Sequence, residues 1–181
     1  MSSSKTSRTM TGNVNQQVLE FTVGRDVELD LELAAVDCIG SAAHVGMLSR
    51  LQIKPEVIIT SDECRRITKE LGRIVGMVRK GVFKIRPEDQ DIHMAVERML
   101  TAKLGLVGKK IHTARSRNDQ VATDLRLYGK EQLIGTMMEM ASLSEVLLAF
   151  AVKNDKIPMV GRTHFQPAMP SSVGLWASAH A

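Results

Sequence analysis

Residues Ala114-Arg115-Ser116-Arg117-Asn118-Asp119-Gln120 place two guanidiniums, a hydroxyl, two carboxamides and one carboxylate in one short stretch. The stretch runs directly into a long apolar helical pattern, so it stands at a helix N-terminus. Free N–H groups and the positive end of the helix dipole already gather there. Arg115 and Arg117 add charge and can grip a carboxylate bidentately, while Ser116 can donate and Asn118 can both donate and accept. The chemistry these types support is the holding of a small anion. Three further groups carry reactive side chains: Thr163-His164 with Gln166, Asp91-Ile92-His93, and Ser41 with His44. His164 titrates in the neutral range and is suited to moving a proton.

Each group also has a plainer use. The arginine stretch could be a solvated helix start with a salt bridge or two. Thr163 and His164 could hold the turn before Pro167 by side-chain bonds. His93 could hydrogen-bond a loop, Ser41 could be a small packing residue and His44 a surface one. Metal binding is not expected. The five histidines (44, 93, 112, 164 and 180) include no i, i+4 helical pair and have no nearby cysteine. No Gly-rich phosphate loop and no Gly-x-Ser-x-Gly elbow occur.

The elements that must position these groups are helical. Leu29, Leu33, Val36, Ile39, Ala43 and Met47 recur at three- and four-residue steps over residues 26–52, with Lys54-Pro55 as the stop. Thr60 and Glu63 form a capping-box signature for a helix reaching Gly81. Pro87-Glu88-Asp89 opens a third helix carrying Ile92, Val96, Met99 and Leu100, ending near Gly105. Residues 119–153 read as one helix, roughly 50 Å long at about 1.5 Å per residue. Val121, Leu125, Ile134, Met137, Ala141 and Leu148 lie along one side of it. Residues 146–152 are apolar all round, which requires other helices about them. Residues 161–167 read as a polar loop and a new helix starts at Pro170. Val57 to Thr60 is the one β-like run, and residues 1–13 read as a disordered tail.

Composition narrows the classes. The chain has 181 residues, an apolar fraction of 44% and an aromatic fraction of 3%, so its core is aliphatic and methionine-rich. The net charge of +4 is mild, no Lys/Arg run exceeds two, and stacking aromatics are scarce, which argues against nucleic acid. No uninterrupted apolar run reaches membrane-spanning length, no secretory leader is visible, and Cys38 and Cys64 lack metal or redox spacing. The expectation is a cytoplasmic protein with no membrane partner.

Taken together, these segments resemble argininosuccinate lyase, of the fumarase/aspartase superfamily, over residues 19–181. His112-Thr113-Ala114-Arg115-Ser116-Arg117-Asn118-Asp119-Gln120, continued to Leu127, is similar to the family's first signature. Gly161-Arg162-Thr163-His164-Phe165-Gln166-Pro167, continued to Pro170, is similar to its second. Asp91-Ile92-His93-Met94 and Gly40-Ser41-Ala42-Ala43-His44 match two more segments. The resemblance implies an all-α fold. A small N-terminal helical domain (14–112, after the 1–13 tail) precedes the first part of a central helical bundle (113–181). It implies the cofactor-free, reversible β-elimination of argininosuccinate to arginine and fumarate, a step of arginine biosynthesis and the urea cycle. It also implies self-association through the 119–153 helix, four chains forming the bundle in the full-length family. Carried over by position, Ser41, Arg117 and Asn118 would bind substrate with Ser116 assisting. Thr163 would contact a substrate carboxylate, His164 would transfer the proton, and His93 and Gln166 would line the site. The family's third signature, which carries the serine regarded as the base, does not occur in these residues. The chain alone is therefore expected to be inactive. A non-catalytic helical relative and a lyase for another succinyl compound are the alternatives.

Overall fold

The computed structural model describes residues 6–9, 12–51 and 57–181, and it is mostly helical, in agreement with the periodicity. The chain forms two compact units, Met1–Tyr128 and Gly129–Ala181, and one helix, α7 (Arg117–Lys153), runs through both. The division falls inside that helix instead of at the expected 112/113 boundary. The first turns of α7 belong with the first unit because their polar side chains bond to two of its helices.

In the first unit, α1 (Gln16–Val23) and α2 (Asp26–Leu29) lead through a 3-10 turn, Asp30–Leu33, into α3 (Ala34–Leu48). Then come α4 (Ser61–Arg79), a 3-10 turn at Pro87–Asp89, α5 (Ile92–Leu104), α6 (Leu106–Lys109) and a last 3-10 turn at Lys110–His112. Cys38, Val45 and Leu48 of α3 pack with Ile67, Leu71 and Ile74 of α4 and with Ile92, Val96 and Leu100 of α5. Burying each large aliphatic side chain stabilises the unit by about 1.5–3 kcal/mol. Burial also pushes the Cys38 thiol up, which keeps it protonated.

The expected capping box forms. Thr60 Oγ1 accepts from Glu63 N (3.2 Å), and Glu63 Oε2 accepts from Thr60 N (2.8 Å). The other Glu63 oxygen takes Lys110 Nζ at 2.6 Å, tying the turn before the arginine stretch to the start of α4. Gly81 has a φ of +67°, the left-handed geometry that a helix stop favours. Gly108 lets α6 lie directly on α5: a Cβ there would sit 2.5 Å from the Leu100 carbonyl carbon.

Several expectations are corrected. The third helix starts at Ile92 with Asp91 as its N-cap, because Pro87–Asp89 closes a separate 3-10 turn. The inward side of α3 is only partly the apolar stripe read from the sequence: Val36 is buried, but Ile39 and Met47 are exposed, as is Leu29 in α2. The buried residues of α3 are Ala34, Val36, Asp37, Cys38, Ser41, Val45 and Leu48, two of them polar. Residues 57–60 form no strand. The Lys54-Pro55 stop lies outside the described residues, as do residues 1–5, 10 and 11 of the expected tail. The described part of that tail is ordered as β1 (Thr6–Thr9) paired antiparallel with β2 (Gly12–Asn15).

In the second unit, the later turns of α7 are followed by β3 (Pro158–Thr163), β4 (Gln166–Ser172) and α8 (Val173–Ser178). The expected 161–167 loop is thus the tip of a hairpin. Three prolines and a lack of polar/apolar alternation conceal it. A two-stranded ribbon tolerates proline because both strands are edges. Gly174 seats α8 against the end of α7, where a Cβ would meet Ala151 O at 2.6 Å. Along α7, Leu133, Met137, Met138, Leu143, Val146 and Val152 are exposed. Averaged over a helical window, α7 reaches a mean hydropathy of 1.5 and the Asp26–Leu48 stretch 1.3. By length and composition both could cross a membrane, although the core helices of soluble proteins pass the same test. Glu139 and Glu145 are why an uninterrupted apolar run is not seen in the sequence.

Candidate active site

The polar stripe of α3 decides what gathers around the arginine stretch. Asp37 and Ser41, one helical turn apart, face inward and are fully buried. On α7 the matching pair is Gln120 and Asp124, also one turn apart and buried. His93, in the first turn of α5, comes between them. Its Nδ1 donates to Asp37 Oδ1 at 2.9 Å and lies 3.9 Å from Asp124 Oδ2. Gln120 Nε2 donates to the same Asp37 oxygen. Arg115 Nη2 donates to Ser41 Oγ at 3.0 Å.

The electrostatics follow from this packing. Burial works against a charged His93, but the hydrogen bond to Asp37 and the charges of Asp37, Asp91 and Asp124 outweigh it, and its pKa is raised. Burial, then the neighbouring Asp37, hold the Asp124 carboxyl well above the usual carboxylate range, with His93 and Arg115 acting in the opposite sense. Burial also lowers Arg115, against the pull of Asp37 and Asp124. His44 is lowered by burial, and its Nε2 donates to the Thr113 carbonyl at 2.9 Å, so it fixes the chain just before the arginine stretch.

Arg117 occupies the open edge. Its Nη1 pairs with Asp91 Oδ2, while Asp91 Oδ1 caps α5 by accepting from Met94 N at 2.8 Å. Ser116 Oγ accepts from Asn118 N at 3.2 Å and so caps α7, which leaves the Asn118 side chain exposed. Beside this segment is a cavity of about 330 Å³, lined by Gly40, His44, Arg115, Asp119, Thr123 and Asp124. A half-exposed guanidinium, an exposed carboxamide and a helix N-terminus together can bind a carboxylate.

In the first unit, then, Arg117 lies within one ion pair of the α5 N-cap that adjoins His93, and Ser41 is reached through Arg115. Ser41 is not open to a ligand, because it is fully buried and already accepts from Arg115. Thr163, His164 and Gln166 belong to the second unit, where Thr163 and Gln166 pair across the hairpin. His164 and Phe165 form its two-residue tip with φ of 47° and 61°. Two positive φ values are what a tight primed turn requires, yet neither residue is glycine. Both are exposed, Phe165 at 96%.

Asp37 and Asp124 were not expected at the site. A signal was present, namely polar residues four apart (Asp37/Ser41 and Gln120/Asp124) inside helices that are otherwise apolar. Asp37, His93 and Asp124 do offer three ligand atoms within 4.8 Å of one another. However, His93 Nδ1 and Asp37 Oδ1 are already bonded to each other, so a cation would first have to break that bond.

The family model described as "Lyase" matches residues 8–181. The chain belongs to the lyase family. Similar relatives of this lyase chain include the argininosuccinate lyase of Phocaeicola vulgatus, 45% identical over 168 residues, covering 93% of this chain and 36% of the relative. That of Bacteroides thetaiotaomicron is 44% identical with the same coverage. That of Thermotoga neapolitana is 40% identical over 166 residues, covering 92% of this chain and 40% of the relative. The lyase chain therefore spans little more than a third of those relatives' length and corresponds to an N-terminal portion.

Proposed function

We propose that this chain supplies two of the three signature segments of an argininosuccinate lyase. The reaction would be reversible β-elimination of argininosuccinate to arginine and fumarate. The observation that carries the reading is the start of α7, where Arg115 and Gln120 are anchored inward and Arg117 and Asn118 are left at the open edge. This is how a carboxylate-binding helix start would be built, and it occurs in the segment with the family's first signature.

In this scheme Arg117 and Asn118 hold a substrate carboxylate, Ser116 caps the helix that presents them, and Thr163 contacts a second carboxylate. A base outside these residues takes the Cβ proton. The electron pair forms the fumarate double bond, the C–N bond breaks, and His164 protonates the departing guanidino nitrogen. Charge building on the adjacent carboxylate is stabilised by the preorganised donors, which should be the largest rate contribution. His93 acts from behind the Arg117 contact, Gln166 supports the hairpin tip, and Ser41 acts by holding Arg115. The exposed apolar side of α7 between Leu133 and Val152 would pair with other copies of the chain. A cytoplasmic location fits this chemistry.

The test is the chain mixed with argininosuccinate, alone and with a separately expressed segment carrying the third signature, followed by fumarate absorbance. Turnover is expected only in the mixture, and His164→Asn should abolish it while the two pieces still associate. Turnover by the chain alone would refute the need for the third signature. Faster turnover of another succinyl compound would reassign the substrate, and no turnover in an associated mixture would favour a non-catalytic role.

A further inference from the structure

Besides Gln120 Oε1 and Arg115 Nε, the buried polar cluster leaves one oxygen without a partner on each of two residues, Asp37 Oδ2 and Asp124 Oδ2. Both residues are at least 99% buried, so each orphaned oxygen would cost about 1–3 kcal/mol if left so. The other Asp37 oxygen is satisfied twice, by His93 Nδ1 and by Gln120 Nε2. One oxygen of Asp37 and one of Asp124 lie within 4.8 Å of each other. One hydrogen held between the two carboxyl groups would satisfy both oxygens.

We propose that Asp124 and Asp37 share a single proton, and that this proton clips the start of α7 to α3 and so positions the Arg115–Asn118 segment. Asp124 acts through Asp37. As donor to Asp37 Oδ2, it leaves Oδ1 free to fix the His93 ring and the Gln120 amide. Asp124 is thus a positioning residue whose role depends on the chain's own geometry and holds whatever the substrate proves to be.

The surrounding charges agree. His93 faces the pair from α5, Asp91 from the α5 N-cap, Arg115 from the segment before α7 and the Cys38 thiol from α3, with Asp30 acting on His93 from the preceding turn. With the proton in place, one carboxylate faces two cations. Without it, two like charges are confined in a buried site, which is what favours retaining a proton.

A proton retained only in the folded state makes stability fall as pH rises. For Asp124 the contribution is complete below about pH 4, where an unfolded aspartate titrates, and is lost as pH climbs through its raised folded value. His93, also raised, adds a later loss that begins above about pH 6.5. The experiment is thermal unfolding of the full chain across pH, with Asp124→Asn, Asp124→Leu and Asp37→Asn, joined to a nuclear magnetic resonance titration of the His93 ring. Asp124→Asn keeps a donor that never ionises. It should abolish the earlier loss, retain the later one and leave His93 raised. Asp124→Leu should destabilise at every pH, and Asp37→Asn should return His93 toward its ordinary titration. Equal slopes for wild type and Asp124→Asn between pH 4 and 6.5 would overturn the proposal. Should a variant fail to fold, infrared spectroscopy of the wild type decides. A protonated-carboxyl C=O band at about pH 6 supports the shared proton, and its absence refutes it.

Discussion

Asp91 carries two tasks on two oxygens, and a pair of substitutions separates them. Oδ1 caps α5 and Oδ2 holds Arg117. Removing both in Asp91→Ala costs about 1 kcal/mol for the cap. The ion pair adds little. The Arg117 side chain is 39% exposed and that of Asp91 24%, so solvent screening reduces it to a surface value of about 0.5 kcal/mol. Asp91→Asn retains the cap, since asparagine caps as well as aspartate, and loses only the second amount. The two variants should therefore differ by about 1 kcal/mol. With a urea slope of about 2 kcal/mol per molar, that is a midpoint gap of about 0.5 M. Circular dichroism melts in urea, at a concentration where all three proteins have the same association state, measure it. If Asp91→Asn unfolds as early as Asp91→Ala, the charge and not the cap dominates, and the screening reasoning is wrong. In the complemented lyase assay Asp91→Asn should raise KM more than it lowers kcat, because it frees Arg117 without touching the reacting atoms.

Two further outcomes follow from packing. Gly108→Ala forces a methyl onto the α5 backbone, which cannot give way as a side-chain end could, so it should destabilise the first unit by about 3 kcal/mol in the same urea assay. Met137→Glu with Leu143→Lys, on the exposed side of α7, should convert a self-associating chain into a monomer by sedimentation at micromolar concentration. A wild type already monomeric there would remove that surface from any role in assembly.

Helix content was legible in the sequence because most helices bury a regular aliphatic stripe and punctuate it with clear caps. Leu71/Ile74 and Ile92/Val96/Leu100 fell where the spacing put them, and the Thr60–Glu63 box formed. The side of α3 that turns inward was not legible. Its apolar positions Ile39 and Met47 compete with a stripe containing Asp37 and Ser41, and only the partners on α5 and α7 make the polar one buriable. Asp124 was hidden for the same reason, since its value depends on Asp37 lying across from it. The second hairpin escaped because prolines and a solvated surface erase the alternation by which strands are read. The arginine stretch itself stood out, because its density of donors exceeds what capping needs.

The tip at His164 and Phe165 has a consequence for anyone who tries to improve this protein. Two non-glycine residues in the left-handed region cost the hairpin about 1 kcal/mol each. Glycine at either position would recover that amount. A screen that ranks variants by heat resistance would thus enrich glycine at both positions, including His164, where the proposed chemistry needs a side chain. Stability and proton transfer pull against each other at this turn, and a campaign scored on melting temperature alone would remove the imidazole while every readout improved.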